Sequence, residues 1–238
     1  MITLDEKSLR KEIKFKIFEL DRSTFISWLL GTSNFRQSYP DRTICSLYYD
    51  TIEYDFAYNN MTGVSDRTKL RVRWYPSGSN NEDKKPKNSS ITCFLERKRK
   101  SNDLSDKVTL GEKTFENYNS MLNQLMILRS WVNQISSIHT EPNISYVKET
   151  ALITYNRRYF EHIIFPNLRL TVDNDIFFKD INTFTKSTHI SKNYFVVELK
   201  YSHNDEKFIH EIMKTFPFRR TRYSKYLNAM SNLKNVSY

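Results

Sequence analysis

The sequence predicts an α+β protein built on a mostly antiparallel β-sheet. The first observation is a recurring run in which charged and apolar residues alternate, as between Lys69 and Trp74. Because successive side chains of a strand point to opposite faces, each such run has one apolar face and one ionic face. The second observation is that strands far outnumber βαβ repeats along the chain, which favours an antiparallel sheet over a parallel one.

The ionic faces differ in kind from an ordinary solvated face. They carry mainly Arg and Lys with single carboxylates, and few of the Thr, Ser and Gln residues that commonly fill a wet face. The runs with this composition are 12–16, 71–73, 96–100, 169–173 and 198–200. We therefore expect a closed or nearly closed sheet whose charged faces converge on a lumen, and this lumen would hold a polyanion and a metal ion.

The elements follow in order along the chain, which we treat as a single domain over residues 1–238. Period-two alternation predicts strands at 11–19, 43–50, 68–75, 91–100, 150–160, 166–173 and 193–201. Helical spacing of apolar residues predicts helices at 22–30, 53–60, 114–138 and 204–215, and a last helix that follows a basic segment at 219–226. The polar stretch 76–90 predicts a flexible hairpin loop.

Composition restricts the classes of function. The chain has 238 residues, a formal net charge of +10 and a pI near 9.4, which indicates an anionic partner. It has only four glycines and neither a GxxxxGKS/T loop nor a GxGxxG turn, so side chains rather than a backbone cradle would hold the anion. Cys45 and Cys93 lie in apolar runs, and no apolar run approaches 18 residues. Both features predict a cytoplasmic protein with reduced thiols.

Arginines at alternate positions of one strand are candidates for an anion site. Arg71 and Arg73 lie about 7 Å apart on one face of a strand and repel each other unless an anion lies between them. The planar guanidinium donates two hydrogen bonds to one phosphoryl group. Salt bridges to carboxylates on a neighbouring strand are the alternative, but Arg157 and Arg169 in similar contexts favour the anion site.

Glu198 lies in the middle of a very apolar strand, where an unpaired carboxylate would cost several kcal/mol. A hard divalent cation, with phosphate oxygens completing its ligand shell, is one partner that would stabilise it. A salt bridge to Lys or Arg is the other. Glu12 and Glu96 allow the same two interpretations, since each of the three precedes a lysine by two positions. These lysines are Lys14, Lys98 and Lys200.

Taken in order, these residues resemble one family, the VTC (vacuolar transporter chaperone) domain. The resemblance covers the chain from residue 10 to about residue 230. It rests on the motifs Arg10-x-Glu12-x-Lys14, Ser46 to Asp50, Lys69 to Tyr75, Glu96 to Lys98, Tyr155 to Arg158, Arg169 to Asp173, Val197 to Tyr201 and Arg222 to Tyr226. The family belongs to the triphosphate tunnel metalloenzymes, so the resemblance implies an eight-stranded antiparallel β tunnel with helices packed outside.

The resemblance also implies an activity, an inorganic polyphosphate polymerase that transfers the γ-phosphoryl group of ATP to a growing polyphosphate chain. The catalytic phosphate ligands would be Lys14, Arg71, Arg73, Lys98, Arg157 and Arg169. The substrate-binding residues would be Tyr155, Lys107, Lys200, Arg222 and Lys225. Glu198 would hold Mn2+ or Mg2+, with Glu12 and Glu96 as further candidate metal ligands.

Two other functions stay open. A tunnel triphosphatase would act on an NTP, inorganic triphosphate or an RNA 5′ end, but such enzymes tend to have carboxylates at the positions of Arg10 and Lys200. A non-catalytic polyphosphate-binding module would need no Glu198. Nucleic acid is disfavoured because the aromatic residues fall largely on apolar faces. The expected partners are ATP, polyphosphate or pyrophosphate, and a separate membrane protein that would hold the chain at a membrane surface.

Overall fold

The computed structural model describes residues 10–31, 34–76, 90–101, 104–139, 146–165, 167–181, 187–189, 193–202 and 205–234. The predicted flexible hairpin at 76–90 therefore lies, except for its two end residues, outside the described residues. No helix within these ranges is both long and apolar enough to cross a bilayer.

Nine strands and six α-helices lie in the described ranges. The strands are β1 (Arg10–Phe18), β2 (Phe35–Asp50), β3 (Asp66–Trp74), β4 (Ile91–Ser101), β5 (Leu104–Phe115), β6 (Lys148–His162), β7 (Arg169–Lys179), β8 (Ser187–His189) and β9 (Tyr194–Ser202). The helices are α1 (Arg22–Gly31), α2 (Asp55–Thr62), α3 (Tyr118–Asn123), α4 (Leu125–His139), α5 (Glu206–Thr215) and α6 (Lys225–Lys234).

The strands form one antiparallel sheet in the order β6-β2-β3-β4-β5-β1-β9-β7-β8. Strands β6 and β7 also pair with each other, so eight strands follow one another around a tunnel. Strand β8 pairs with the end of β7, on the edge whose first part pairs with β9. The junction between β5 and β1 is the weakest, since it consists of the single pair Arg10 and Ser105.

The chain segment before α6 covers part of the edge of β1 that β5 leaves unpaired. The backbone N–H of Thr221 donates to the carbonyl oxygen of Lys14 at 2.7 Å. The hydroxyl of Thr221 accepts from the backbone N–H of Lys16 at 2.8 Å. This segment therefore completes the wall next to β1 and carries the chain from the outside of the tunnel into the start of α6.

Two apolar clusters cover the outside of the tunnel. In one cluster, helices α3 and α4 pack on strands β2 to β5, and Leu128 and Val132 of α4 are fully buried there. Gly111 of β5 allows α4 to approach closely, because a Cβ there would lie 2.9 Å from the side chain of Ile135. The other cluster lies between β1, β7 and β9 and the helices α1 and α5. Apolar residues at i, i+3 and i+4 spacing give α1 its buried face.

A third apolar cluster lies inside the sheet and fixes α6. Inward-facing residues such as Ile44, Ile153 and Val196 pack with Ala229 and Met230 of this helix. Helix α6 therefore enters the tunnel and occupies part of its interior.

A buried carboxylate joins α6 to the end of β2. Asp50 is fully buried and accepts hydrogen bonds from the backbone N–H groups of Phe56 and Ala57, at the start of α2. It also accepts a 2.5 Å hydrogen bond from the hydroxyl of Tyr226. The Asp50 side chain thus accepts hydrogen bonds from backbone N–H groups in the first turn of α2, which have no partner within that helix, and it also holds the first turn of α6.

The predicted α+β class and antiparallel eight-stranded tunnel are confirmed, but several predicted bounds are wrong. Strand β5 was not predicted, because Gly111 and its charged neighbours give weak strand propensity. The single helix predicted at 114–138 is two helices, and its first residues belong to β5. Strand β2 begins at Phe35 rather than at residue 43. Cys45 and Cys93 are buried free thiols, as expected.

Candidate active site

The inner face of the sheet collects charged side chains. On β1, Ile13 and Phe15 pack into the outer wall, whereas Glu12 and Lys14 form an ion pair in the lumen. The lumen ion pairs join eight cations to four carboxylates. The cations are Lys14, Arg71, Arg73, Lys98, Lys107, Arg157, Lys200 and Lys225, and the carboxylates are Glu12, Glu96, Asp173 and Glu198.

Glu198 on β9 is the carboxylate with the most cationic neighbours. One of its oxygens lies 3.3 Å from Lys14 and from Lys225. The other lies 3.3 Å from Arg157 and from Lys200. Burial would raise the pKa of Glu198, but these cations outweigh burial and hold that pKa well below its ordinary value. The carboxylate is therefore ionised, and it links four separate elements of the tunnel.

Asp173 on β7 holds two of the same cations. Arg157 donates to it from Nε and Nη2 at 2.5 and 2.7 Å, a two-bond fork that fixes the guanidinium plane. Lys225 Nζ lies 2.5 Å from the second carboxylate oxygen. Asp173 is fully buried, and its pKa is lowered because Arg157 and Lys225 outweigh the opposing effect of burial.

Glu12 shares a lysine with Glu198. Lys14 Nζ lies 2.8 Å from Glu12 and 3.3 Å from Glu198, so the two carboxylates approach the same point of the lumen. Lys98 Nζ lies 2.8 Å from the other oxygen of Glu12. Burial would raise the pKa of Glu12, but Lys14, Lys98 and Lys200 together outweigh it and hold this pKa far below its ordinary value.

Glu96 on β4 forms a separate group of ion pairs. It lies 2.7 Å from Arg71, 2.6 Å from Lys107 and 3.8 Å from Arg73. Burial would raise the pKa of Glu96, but Arg71 and Arg73 outweigh it and lower that pKa to about 2. Arg71 and Arg73 are therefore held at one carboxylate, and their forks point to the same part of the lumen.

Two tyrosines border the cations. The hydroxyl of Tyr155 accepts from Arg73 Nη2 at 3.4 Å, and Lys225 Nζ lies 4.7 Å from the centre of the Tyr155 ring. The hydroxyl of Tyr48 accepts from Arg71 at 3.2 Å. Burial would raise the pKa of Tyr155, but the nearby arginines outweigh it and lower that pKa. Tyr155 therefore lies beside the cations of the lumen.

The lumen offers oxygen ligands for a hard metal ion, but few of them. Among the described residues, no group of three or more His, Cys, Asp and Glu side chains could hold a metal. Glu12 and Glu198 form the best pair, because Lys14 Nζ already bridges them. Mg2+ is commonly held by one or two carboxylates together with substrate phosphates. The donor set therefore fits a divalent ion that arrives with a phosphate.

The family model of the VTC domain matches residues 6–234. The chain belongs to the VTC domain family. No curated protein matches it.

Solved structures match the fold of this VTC domain at low identity. HpAC1 from Hippeastrum, described as having a dominant triphosphatase activity, is 14% identical, with 94% of this chain and 96% of that chain covered and a TM-score of 0.50. A candidate adenylate cyclase from Bacillus halodurans is 14% identical, with 95% and 98% covered and a TM-score of 0.48. Family and fold together support a phosphoryl-handling function of the kind carried out by tunnel metalloenzymes, which generally use divalent metal ions.

Some residues expected in the VTC site lie at its margin. Arg169 is half-exposed and lies 3.5 Å from Glu161. Arg222 is exposed. Lys107 contacts Glu96, yet 47% of its side chain is exposed. These three cations are more exposed than most of the cations in the lumen ion pairs.

The structure also adds residues that the sequence analysis did not assign to the site. Asp173 was recognised only as part of an alternating run. Its place directly after the apolar residues Leu170 to Val172 is the sequence signal that could have indicated a buried acid in need of a cation. Lys69, which follows the same alternation as Arg71, also faces the lumen and donates to the hydroxyl of Ser224 at 2.9 Å. Its spacing on β3 could have identified it.

Proposed function

We propose that this VTC domain is an inorganic polyphosphate polymerase, which transfers the γ-phosphoryl group of ATP to the end of a polyphosphate chain. The observation that carries the proposal is the charge of the lumen, where eight cations are ion-paired with only four carboxylates. This excess suits a long polyanion, because each added phosphate brings further negative charge.

Phosphoryl transfer depends on positioning and charge neutralisation more than on covalent catalysis. Phosphoryl transfer spreads charge over the oxygens of the transferred group, and fixed cations stabilise that charge. Arg71 and Arg73 present adjacent forks, and Arg157 presents a third from β6, which is separated from β3 by β2 alone. In the proposed mechanism these forks leave their carboxylates in part and hold the transferred phosphoryl group.

The lysines extend this arrangement along the chain of phosphates. Lys14 and Lys98 would bind the nucleotide phosphates next to Glu12, and Lys225 and Lys200 would bind phosphates next to Glu198. The marginal cations would guide the polymer outside the tunnel. These are Lys107, Arg169 and Arg222.

Glu198 and Glu12 would hold Mn2+ or Mg2+ between them. A bound divalent ion would supply further positive charge to the phosphate oxygens. Glu96, which was expected to be a third ligand, lies instead with Arg71 and Lys107. We assign it the task of orienting those two cations.

Hydrolysis is the second candidate reaction, because HpAC1 is described as having a dominant triphosphatase activity. A water nucleophile would profit from a free carboxylate that takes its proton. All four lumen carboxylates are instead ion-paired with cations in the described structure. An anionic phosphate acceptor needs no such base, and this favours transfer to phosphate over transfer to water.

The test is to incubate the purified chain with ATP and Mn2+, and to follow polyphosphate on a gel and free phosphate in solution. Long polymer together with ADP supports the polymerase, whereas free phosphate without polymer supports the triphosphatase. Tight polyphosphate binding with neither product supports the binding module. The variants Arg71→Met and Arg73→Met should each reduce turnover by at least about a hundredfold. Arg99→Met, on the outer face of β4, is the matched control.

A membrane partner and a cytoplasmic location are also part of the proposal. A separate membrane protein would receive the polymer that the tunnel produces. Fractionation of host cells tests this, since the chain should sediment with membranes only when the partner is present.

A further inference from the structure

Three lysines form a row across neighbouring strands on the inner face of the tunnel. Lys69 of β3 lies directly opposite Lys98 of β4, and Lys98 lies directly opposite Lys107 of β5. Like charges at directly opposed positions of a sheet destabilise it. A row of this kind therefore requires compensating anions, either from the protein or from a ligand.

The protein supplies a carboxylate to two of the three lysines. Lys98 lies 2.8 Å from Glu12, and Lys107 lies 2.6 Å from Glu96. Lys69 differs, since its Nζ donates to the neutral hydroxyl of Ser224 at 2.9 Å. No carboxylate of the described residues lies within ion-pair distance of it.

The groups that face Lys69 are mostly cationic. Lys14 of β1, Lys98 of β4 and Arg67 of its own strand oppose its charge. Glu12 favours the charge, but it is ion-paired with Lys98 and Lys14. The side chain is partly buried, so some of the lumen solvent reaches it. Burial, together with Lys14 and Lys98, lowers the pKa of Lys69 well below its ordinary value.

We propose that Lys69 is a further phosphate-binding residue of the tunnel, and that a proton is taken up at its Nζ when the polyanion binds. The ligand is a phosphoryl group of a linear polyphosphate or of a nucleoside triphosphate, held between Lys69, Lys98 and Ser224. The inference rests on the proposed function for its choice of ligand.

Lys69 differs from the other lumen cations because binding of a polyanion gives it an anionic partner that it did not have before. The other cations exchange a carboxylate for a phosphate, so their charge is satisfied before and after binding. Lys69 gains its first anion, which stabilises the ammonium form because an opposite charge at close range favours the charged state. Bond and charge balance are simple, since one proton passes from solvent to the Nζ lone pair.

The experiment is calorimetric titration with inorganic tripolyphosphate, with a metal chelator present so that no turnover occurs. Titration in two buffers with different ionisation enthalpies gives the number of protons taken up per tripolyphosphate bound. The chain is compared with Lys69→Arg, which stays charged at all relevant pH values, and with Lys69→Met. The exposed lysine of α5 provides the control Lys214→Met.

The expected result is proton uptake by the unchanged chain and by Lys214→Met that exceeds the uptake by Lys69→Arg. Tripolyphosphate itself exchanges the same number of protons with each of these proteins. The difference in proton uptake between the unchanged chain and Lys69→Arg is therefore due to Lys69. Lys69→Met should bind about tenfold to a hundredfold more weakly, the effect of one hydrogen bond to a charged group. Its unfolding midpoint in urea without ligand should be nearly unchanged, because Lys69 has no ion pair to lose among the described residues and contacts only the Ser224 hydroxyl.

Three results would overturn the inference. Equal proton uptake by the unchanged chain and Lys69→Arg, or equal affinity of the unchanged chain and Lys69→Met, excludes Lys69 while the proposed function stands. No tripolyphosphate binding by the unchanged chain removes the proposed function itself, and the inference with it.

Discussion

Lys225 Nζ lies 2.5 Å from the carboxylate of Asp173, and this contact ties the first turn of α6 to β7 in the centre of the tunnel. The same Nζ lies 3.3 Å from Glu198 of β9. Both carboxylates are buried. The helix is therefore part of the charged lumen as well as of the apolar cluster inside the sheet, and its position determines where Lys225 and Ser224 lie in the lumen.

Asp173→Asn should destabilise the fold strongly. It leaves Arg157 without its two-bond partner and Lys225 with Glu198 alone. Removing one member of a buried ion pair costs about 3–5 kcal/mol, because the remaining charge stays buried. Urea unfolding at neutral pH measures the loss. The control Glu211→Gln breaks an exposed pair with Lys214 and should cost less than about 0.5 kcal/mol. A similar small loss in both variants would contradict the structural role of Asp173.

Glu198→Gln should shift the dependence of activity on Mn2+. If Glu198 holds the ion, the variant needs far more metal for half-maximal activity, since even groups one step removed from a metal change its affinity by about 10–100-fold. The measurement is a Mn2+ titration of ADP release, with Glu211→Gln as the control. Full activity and an unchanged midpoint would remove the metal role of Glu198.

The sequence predicted the tunnel and its cations because both depend on local alternation. The inward positions of Lys14, Arg71 and Lys98 follow from period two alone. The pairings between strands could not be predicted in this way, because alternation gives the face on which a side chain lies but not which strand lies next to it or in which register. Arg157 thus contacts Asp173 of β7 and Glu198 of β9. Alternation also fails where the backbone departs from regular geometry. Asp175 has a φ of 50°, and the predicted strand ended at residue 173 although β7 continues to Lys179.

Acid should weaken the fold partly through Glu96. Its pKa is lowered from 4.5 to about 2 in the folded chain, so its ionised form adds stability above pH 4.5 that is lost as pH falls toward 2. The shift corresponds to about 3 kcal/mol. Urea unfolding of the unchanged chain and of Glu96→Gln should therefore differ most near pH 6, and the difference should shrink between about pH 4.5 and 2. A difference that is constant over this range would exclude Glu96 as a cause of acid sensitivity.

Tyr226→Phe should loosen α6 without altering the charges of the lumen. The variant removes the 2.5 Å hydrogen bond to the buried carboxylate of Asp50 but keeps the ring stacked on Tyr48. A buried acceptor that loses a partner costs about 1–3 kcal/mol, and urea unfolding measures it. The exposed Tyr58 provides the control Tyr58→Phe, which should lose almost nothing. Because Tyr226 directly follows Lys225, a displaced helix should also weaken tripolyphosphate binding. Equal stability and equal affinity in the two variants would show that the apolar cluster alone holds α6 in place.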